Sequence, residues 1–359
     1  MSSSRPRVLL LWHSFTGYWA AAVRALAQRA DVTVLVRPPD LLAPYEYDAF
    51  DLNGAELQVA AWPWSHELLD ELVERTRPDV TCSIGHTPGM WRVLHGARRK
   101  YGTTTVMFTD SIWFGTPRQH AVQLLFKVAR PYAFDRVFVP GAQSAEYARQ
   151  LGFSREAVLT GACTADEVRF ASVAPGSATR WVDPRFLFCG RLVTGKAPDI
   201  LAEAYRTYRE SVADPWPLQV VGHGPFDGGL GGMPGVIMSD FVQPDALPGI
   251  YADAGALILP SRFDSWGVVA LEGCAAGLPV VISDGCGAAD DLATPANGFV
   301  VEAGDPVSLA RALTALTEAS RDQRREWGRV SSQIAGAYAP EHWAETLLSA
   351  ASLPEVARS

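Results

Sequence analysis

Pro260-Ser261-Arg262-Phe263-Asp264-Ser265-Trp266-Gly267, running on to Leu271-Glu272-Gly273-Cys274-Ala275-Ala276-Gly277-Leu278-Pro279, is the most informative stretch of the chain. It follows an apolar run, Ala256–Leu259, with the length of a buried strand, and opens a helix-period segment over Ser265–Ala276. On this reading Asp264 and the amides of Ser265, Trp266 and Gly267 lie at a helix N-terminus, where unpaired N–H groups and the helix dipole favour an anionic or polar ligand. Glu272 then stands roughly 12 Å farther along the axis at ~1.5 Å per residue. Carboxylates that flank a single bond lie about 5–9.5 Å apart, so this pair suits the two ends of a long ligand. A plainer reading stays open, with Asp264 as a helix cap and Glu272 as a solvated helix residue.

The same strand–loop–helix unit repeats outward in both directions. On the C-terminal side of the chain, Phe186–Cys189, Leu218–Val221, Val236–Met238, Ala256–Leu259, Val280–Ser283 and Phe299–Val301 read as strands. Helical patterns fit Ala197–Arg209, Asp245–Ala252 and Pro306–Ala319, the last announced by Asp305 at the N-cap and Pro306 at the first helical position. Nearer the N-terminus, Val8–Trp12, Val32–Val36, Val80–Ile84, Thr105–Phe108 and Val137–Val139 alternate with helical segments at Trp19–Arg29, Glu67–Arg75 and Gly89–Arg99. Such alternation predicts an α/β architecture with parallel sheets. At 359 residues the chain exceeds one ordinary core, and the Ala/Ser/Gly/Pro-rich segment 171–178 reads as a linker. The predicted organisation is a Rossmann-like domain over 1–175, a second over 180–335, and a C-terminal helix over 336–359 packing back on the first domain. Two such domains facing each other across a cleft is the simplest assembly, with ligands outside the carboxyl ends of the strands.

Composition narrows the function. A net charge of −8 argues against a general nucleic-acid partner. No stretch approaches the ~20 apolar residues of a membrane span. The five cysteines are odd in number and show no metal-ligand spacing, which points to free thiols in a reducing cytoplasm. Only three lysines occur (Lys100, Lys127 and Lys196), so a lysine at a motif position is less casual here.

One of them falls in Gly190-Arg191-Leu192-Val193-Thr194-Gly195-Lys196, another strand-to-helix loop. Arg191 and Lys196 can clamp phosphate oxygens, the first bidentately and the second as a compact charge. The spacing is not that of a P-loop. Two solvated surface bases are the alternative. A third loop, Val221-Gly222-His223-Gly224-Pro225, has glycines that open space for a ligand or form a tight turn.

Taken in chain order, the three stretches resemble the family-4 glycosyltransferases, retaining enzymes of the GT-B fold, across about residues 186–304. Gly285-Cys286-Gly287-Ala288 and Asn297-Gly298-Phe299 fit the same pattern. The resemblance implies transfer of a sugar from a UDP- or GDP-linked donor to a hydroxyl acceptor, in polysaccharide, glycolipid or glycoside biosynthesis. It implies that Arg191 and Lys196 neutralise the leaving diphosphate and that Glu272 binds the ribose. Asp264, with the amides of Ser265, Trp266 and Gly267, would hold the sugar, and Phe241 and Val242 would lie against the base. Gly222 and Gly224 would border the donor. It implies no metal and no other cofactor.

Two departures stand out. The family's first glutamate is Asp264 here, one methylene shorter. The N-terminal loop, usually with paired glycines, reads Phe15-Thr16-Gly17-Tyr18, leaving Gly17 to approach the diphosphate. Where many relatives carry a histidine, this chain has Thr109-Asp110, so Asp110 is a partner for sugar or acceptor hydroxyls or a plain cap or loop residue. His13 and His86 follow strands and read most simply as structural. Over Arg118–Phe134, Val122, Leu125, Phe126 and Ala129 form an apolar stripe beside Lys127 and Arg130, suited either to the core or to peripheral contact with the inner membrane face or a lipid-linked acceptor. Rival readings are a GT-B-fold nucleotide-sugar epimerase and a non-catalytic nucleotide-sugar binding protein.

Overall fold

The computed structural model describes residues 5–84, 88–172 and 183–353. Two compact units share the chain, one of residues 1–40, 45–164 and 340–359, the other of residues 41–44 and 165–339. The change between them falls at Thr164/Ala165, and from residue 173 the segment read as a linker lies outside the described residues.

The first unit runs β1 (Arg7–Trp12), α1 (Gly17–Ala27), β2 (Asp31–Val36), β3 (Glu56–Val59), α2 (His66–Thr76), β4 (Val80–Ile84) and α3 (Pro88–Tyr101). It continues through β5 (Thr104–Phe108), α4 (Pro117–Ala133), β6 (Arg136–Val139), α5 (Ala142–Gln150) and β7 (Val158–Thr160). The seven strands lie in the order β3-β2-β1-β4-β5-β6-β7, and every neighbouring pair is parallel. Helices on both faces require strands apolar on both sides, which is why Val8-Leu9-Leu10-Leu11-Trp12 is wholly buried. Gly102 and Gly152 take positive φ, +71° and +92°, as helix-ending glycines do.

The second unit begins with α6 (Glu167–Ala171) and continues β8 (Phe186–Cys189), α7 (Pro198–Ser211), β9 (Leu218–Val221), β10 (Val236–Ser239), α8 (Leu247–Ala252) and β11 (Ala256–Leu259). Then follow α9 (Val268–Ala275), β12 (Val280–Ser283), α10 (Ala289–Leu292), β13 (Gly298–Val301), α11 (Pro306–Glu318) and α12 (Arg321–Ala335). Its six strands are again parallel, in the order β10-β9-β8-β11-β12-β13. Asp305 caps α11, its carboxylate accepting from the amides of Val307 and Ser308 at 2.8 and 3.2 Å.

The last helix among the described residues is α13 (Pro340–Ser349), which packs against α1 inside the first unit. Its anchor is Trp343, whose ring meets Trp12 and Trp19 edge-on at 6.0 and 6.1 Å. Burying the indole leaves one polar group to satisfy, and Nε1 donates to the carbonyl of Ala162 at 2.9 Å.

Candidate active site

In the second sheet the chain leaves β8 toward β9 on one side, while β11 lies on the other. At such a switch point the loops part and open a crevice beyond the carboxyl ends of the strands. The loops that border it are Gly190–Ala197, after β8, and Pro260–Gly267, after β11. They are joined at three places. The amide of Phe263 donates to the carbonyl of Gly195 at 3.2 Å. The Arg262 guanidinium forks onto Asp199 in the first turn of α7, both bonds 2.6 Å, and reaches the carbonyl of Thr194 at 3.3 Å. Lys196 donates to the carboxylate of Asp264, their side chains 19% and 11% exposed. The lysine is presented by a one-turn 3-10 segment, Thr194–Lys196, ended by Ala197 at φ +54° and by Pro198 as the first residue of α7.

Asp264 is not a helix cap. Its amide donates to the carbonyl of Gly285 at 3.1 Å and its carbonyl accepts from Gly287 at 3.0 Å, so its backbone bridges to Cys286. The helix starts four residues later, at Val268, behind Gly267 at φ +97°. Residues 264–267 are therefore not helical, and the axial separation reckoned for Asp264 and Glu272 does not apply. A β-carbon at Gly267 would lie 2.6 Å from the Cys286 sulfur and 2.9 Å from Leu259. Ser265 is partly buried beside it. The Trp266 ring belongs to the core, its Nε1 donating to Asp291 at 2.9 Å, while its carbonyl accepts from Ala288 at 2.8 Å.

Glu272 is not a solvated helix residue either. It is partly buried, and the wholly buried Tyr251 donates its hydroxyl to Glu272 Oε2 at 2.9 Å. Burial raises the Glu272 carboxyl to about 7, against the opposing pull of the Tyr251 bond. Burial likewise pushes the Cys189 thiol at the end of β8 to about 12, with the Glu272 charge adding to the effect. A carboxyl poised near neutrality beside a sheet switch point is what a polar binding site presents.

The glycines of the third loop do not open space. A β-carbon at Gly222 would lie 2.1 Å from the carbonyl oxygen of Gly190, and one at Gly224 would lie 2.2 Å from that of Leu192. They let two backbones touch, a contact sealed by Leu192 N donating to His223 O at 3.0 Å. Phe241 and Val242 are partly buried after β10. Arg191 is exposed, and among the described residues it forms no ion pair. Asn297 is packing rather than ligand chemistry, its Nδ2 donating to Leu292 O and Ser331 Oγ at 2.9 and 3.2 Å.

Gly17 and Asp110 belong to the first unit. Gly17 is the first residue of α1, and Asp110 sits in the loop after β5, seven residues before α4 and so not its cap. His13, after β1, is half-buried with its ring 4.3 Å from that of Trp62; burial, then the charge of Arg37, lowers its pKa. His86 lies outside the described residues. No three His, Cys, Asp or Glu side chains come together as a metal site among the described residues. Arg262 and Tyr251 went unremarked in the sequence. Arg262 sits inside the motif and had a signal, while Tyr251 had none.

A model of the glycosyl transferases group 1 matches residues 183–319. The second unit belongs to the group 1 glycosyl transferases. Relatives of this group 1 domain include the D-inositol 3-phosphate glycosyltransferase of Nocardia farcinica, 30% identical over 58% of this chain and 51% of its own length. The enzyme of the same name from Salinispora tropica is 34% identical over 35% of this chain and 29% of its own. The chain thus spans about half or less of these relatives. Among solved structures, Anabaena HepE in complex with UDP and glucose superposes with a TM-score of 0.73 at 17% identity, over 97% of this chain and all of that one. Sucrose-phosphate synthase from Thermosynechococcus elongatus gives 0.69 at 16% identity over 96% and 97%. These likenesses carry the fold, which is GT-B.

Proposed function

We propose that the protein is a retaining glycosyltransferase that moves a sugar from a UDP- or GDP-linked donor to a hydroxyl acceptor without a metal ion. The observation that carries this reading is the contact of Lys196 with Asp264 at the switch point of the group 1 domain. An ammonium has three donors, and Asp264 takes one, so others remain for a diphosphate. The carboxylate beside it can accept from sugar hydroxyls and offset the positive charge that develops at the anomeric carbon. Arg191, exposed on the same loop, adds a second cation. Glu272, held by Tyr251, is an acceptor for ribose hydroxyls. In the reaction the bond from the anomeric carbon to the phosphate oxygen breaks and the bond to the acceptor oxygen forms on the same face. The acceptor proton passes to the leaving phosphate, which the two cations keep stable as it departs.

Support also comes from UDP in the HepE complex and from the transferase names of the relatives. Acceptors in this reading are a saccharide, a lipid-linked saccharide or a small polyol, and five free thiols suit a cytoplasmic enzyme. Purified protein is to be offered a panel of UDP- and GDP-sugars with simple hydroxyl acceptors, in EDTA. Release of nucleoside diphosphate with an α-linked product from an α-linked donor is expected. A donor converted to its epimer with no diphosphate released would favour an isomerase. Strict dependence on manganese or magnesium would remove the metal-free mechanism.

A further inference from the structure

Between Pro88 and Phe134 the chain carries seven arginines and lysines against a single acidic residue, Asp110, although its net charge is −8. Helix α4, within that stretch, has no acidic residue at all. Its inner side is ordinary: Phe126 and Ala133 are buried, and Val122 packs on the same core. Its outer side is not. Leu124, Leu125 and Tyr132 are 70%, 57% and 64% exposed, and Phe114, in the loop before the helix, is 59% exposed. These are four of the fifteen exposed large hydrophobic residues among those described, gathered within nineteen positions. Leu125, read from the sequence in one apolar stripe with Val122 and Phe126 that suited either the core or a membrane surface, is exposed while Phe126 is buried.

Helical spacing aligns the exposed residues. Arg118, Ala121, Leu125 and Tyr132 fall in one row, and His120, Leu124 and Lys127 in the row beside it. The result is an apolar strip edged by a cation on each side. On α3, packed against α4, Arg99 is also exposed, while Lys100 is ion-paired with Glu74. Helices in water place polar residues where α4 places Leu124 and Leu125. Helices lying in a bilayer interface pair such a strip with flanking basic residues.

We propose that the outer face of α4, with Leu124, Leu125 and Tyr132 inserted and Arg118 and Lys127 at the headgroups, docks this protein on an anionic lipid surface. Charge favours a bilayer over a second copy of the chain. A two-fold contact of this face with itself would set one cationic patch against its twin, whereas anionic headgroups complement it.

The test is sedimentation of the full chain with vesicles of phosphatidylcholine containing about 30% phosphatidylglycerol, against vesicles of phosphatidylcholine alone. At least tenfold stronger binding to the anionic vesicles is expected, declining as salt is raised. Leu124→Ser with Leu125→Ser, which leaves the charge intact, lowers binding at least fivefold. Arg118→Glu with Lys127→Glu abolishes it, while Arg206→Glu, on an exposed face of α7 in the other unit, leaves it unchanged. The proposal is overturned if the wild-type chain ignores anionic vesicles or if the double-serine variant binds as the wild type does. It is also overturned if sedimentation velocity shows self-association that Leu124→Ser abolishes.

Discussion

The ammonium of Lys196 donates to the carboxylate of Asp264 although the two residues stand 68 positions apart in sequence. Each belongs to a loop leaving the switch point of the second sheet, so the contact fixes the width of that crevice. It is reinforced outside the pair by the Arg262–Asp199 fork and the Phe263–Gly195 bond. The two charges are mostly withdrawn from water and neutralise each other until a ligand arrives. On the proposed reading the diphosphate takes the ammonium donors that Asp264 leaves over, and the sugar hydroxyls donate to the same carboxylate.

Lys196→Ala removes one charge and strands the other. Turnover is expected to fall roughly 10²-fold or more, because the lost cation is most useful as negative charge builds on the leaving oxygen. Affinity for the free nucleoside should fall far less. The variant also loses about 1–3 kcal/mol of stability, below the full value for a buried pair because both side chains keep some water. Steady-state kinetics, nucleoside calorimetry and thermal unfolding separate these effects; wild-type turnover in the variant would remove Lys196 from the diphosphate site.

Asp264 and Glu272 should part company when each is neutralised. Glu272→Gln weakens nucleoside diphosphate binding, by roughly 1.5–3 kcal/mol for a hydrogen bond to a charged acceptor. Asp264→Asn leaves that affinity nearly unchanged and lowers kcat, since its partners are the sugar and the charge forming on it. Asp264→Glu tests the shorter side chain directly. A gain in kcat would show that the missing methylene limits the enzyme, and a loss would show that the crevice between Gly195 and Gly285 is built for aspartate.

The sheets were legible because parallel strands covered on both faces must be apolar throughout. Leu9, Leu10, Leu257 and Val281 sit in unbroken runs for that reason. The edge strand Glu56–Val59 and the short β7 were not read, since a half-exposed strand need not be apolar. The start of α9 was set too early: Asp264 donates to Gly285 and accepts from Gly287, Trp266 accepts from Ala288, and the helix opens only behind Gly267 at φ +97°. The motif loops were correctly placed after β8 and β11. Their pairing was beyond any local pattern, as were the Tyr251–Glu272 bond and the fact that Gly222 and Gly224 meet backbone. Those contacts depend on strand order, which periodicity does not encode.

Gly222→Ala should be costly for a stated steric reason. The residue sits at φ +125°, and its new methyl would stand 2.1 Å from the carbonyl oxygen of Gly190. Strain and overpacking together cost at least ~2 kcal/mol. Because Gly190 opens the loop that carries Arg191 and Lys196, kcat should fall along with the melting temperature. Gly229→Ala, in an exposed loop, also has positive φ (+88°) but meets nothing within 4 Å, so it reports backbone strain alone. Equal effects from the two variants would show that contact with Gly190 is unimportant.

The burial of Glu272 gives the site a pH dependence whose sign can be worked out. Burial raises the Glu272 carboxyl from 4.5 to about 7, so near neutrality it is divided between its two forms. Only the ionised form is a charged acceptor for ribose hydroxyls, so nucleotide affinity should rise through pH 7 and level off above it. Glu272→Gln, assayed beside it, should remove that rise and leave only the titration of the phosphate itself. Without ligand the effect on folding runs the other way. A folded-state value above the unfolded one gives stability that is complete below about 4.5 and is lost as pH climbs through 7. The glutamine variant should therefore melt at or above the wild type at pH 8, having no buried charge to expose. Tyr251→Phe deletes the hydroxyl that pulls the carboxyl down, so the midpoint of nucleotide affinity should move to higher pH while the glutamine variant stays flat. A midpoint unmoved by Tyr251→Phe would mean that the hydroxyl only fills space beside Cys189 and does not set the charge on Glu272.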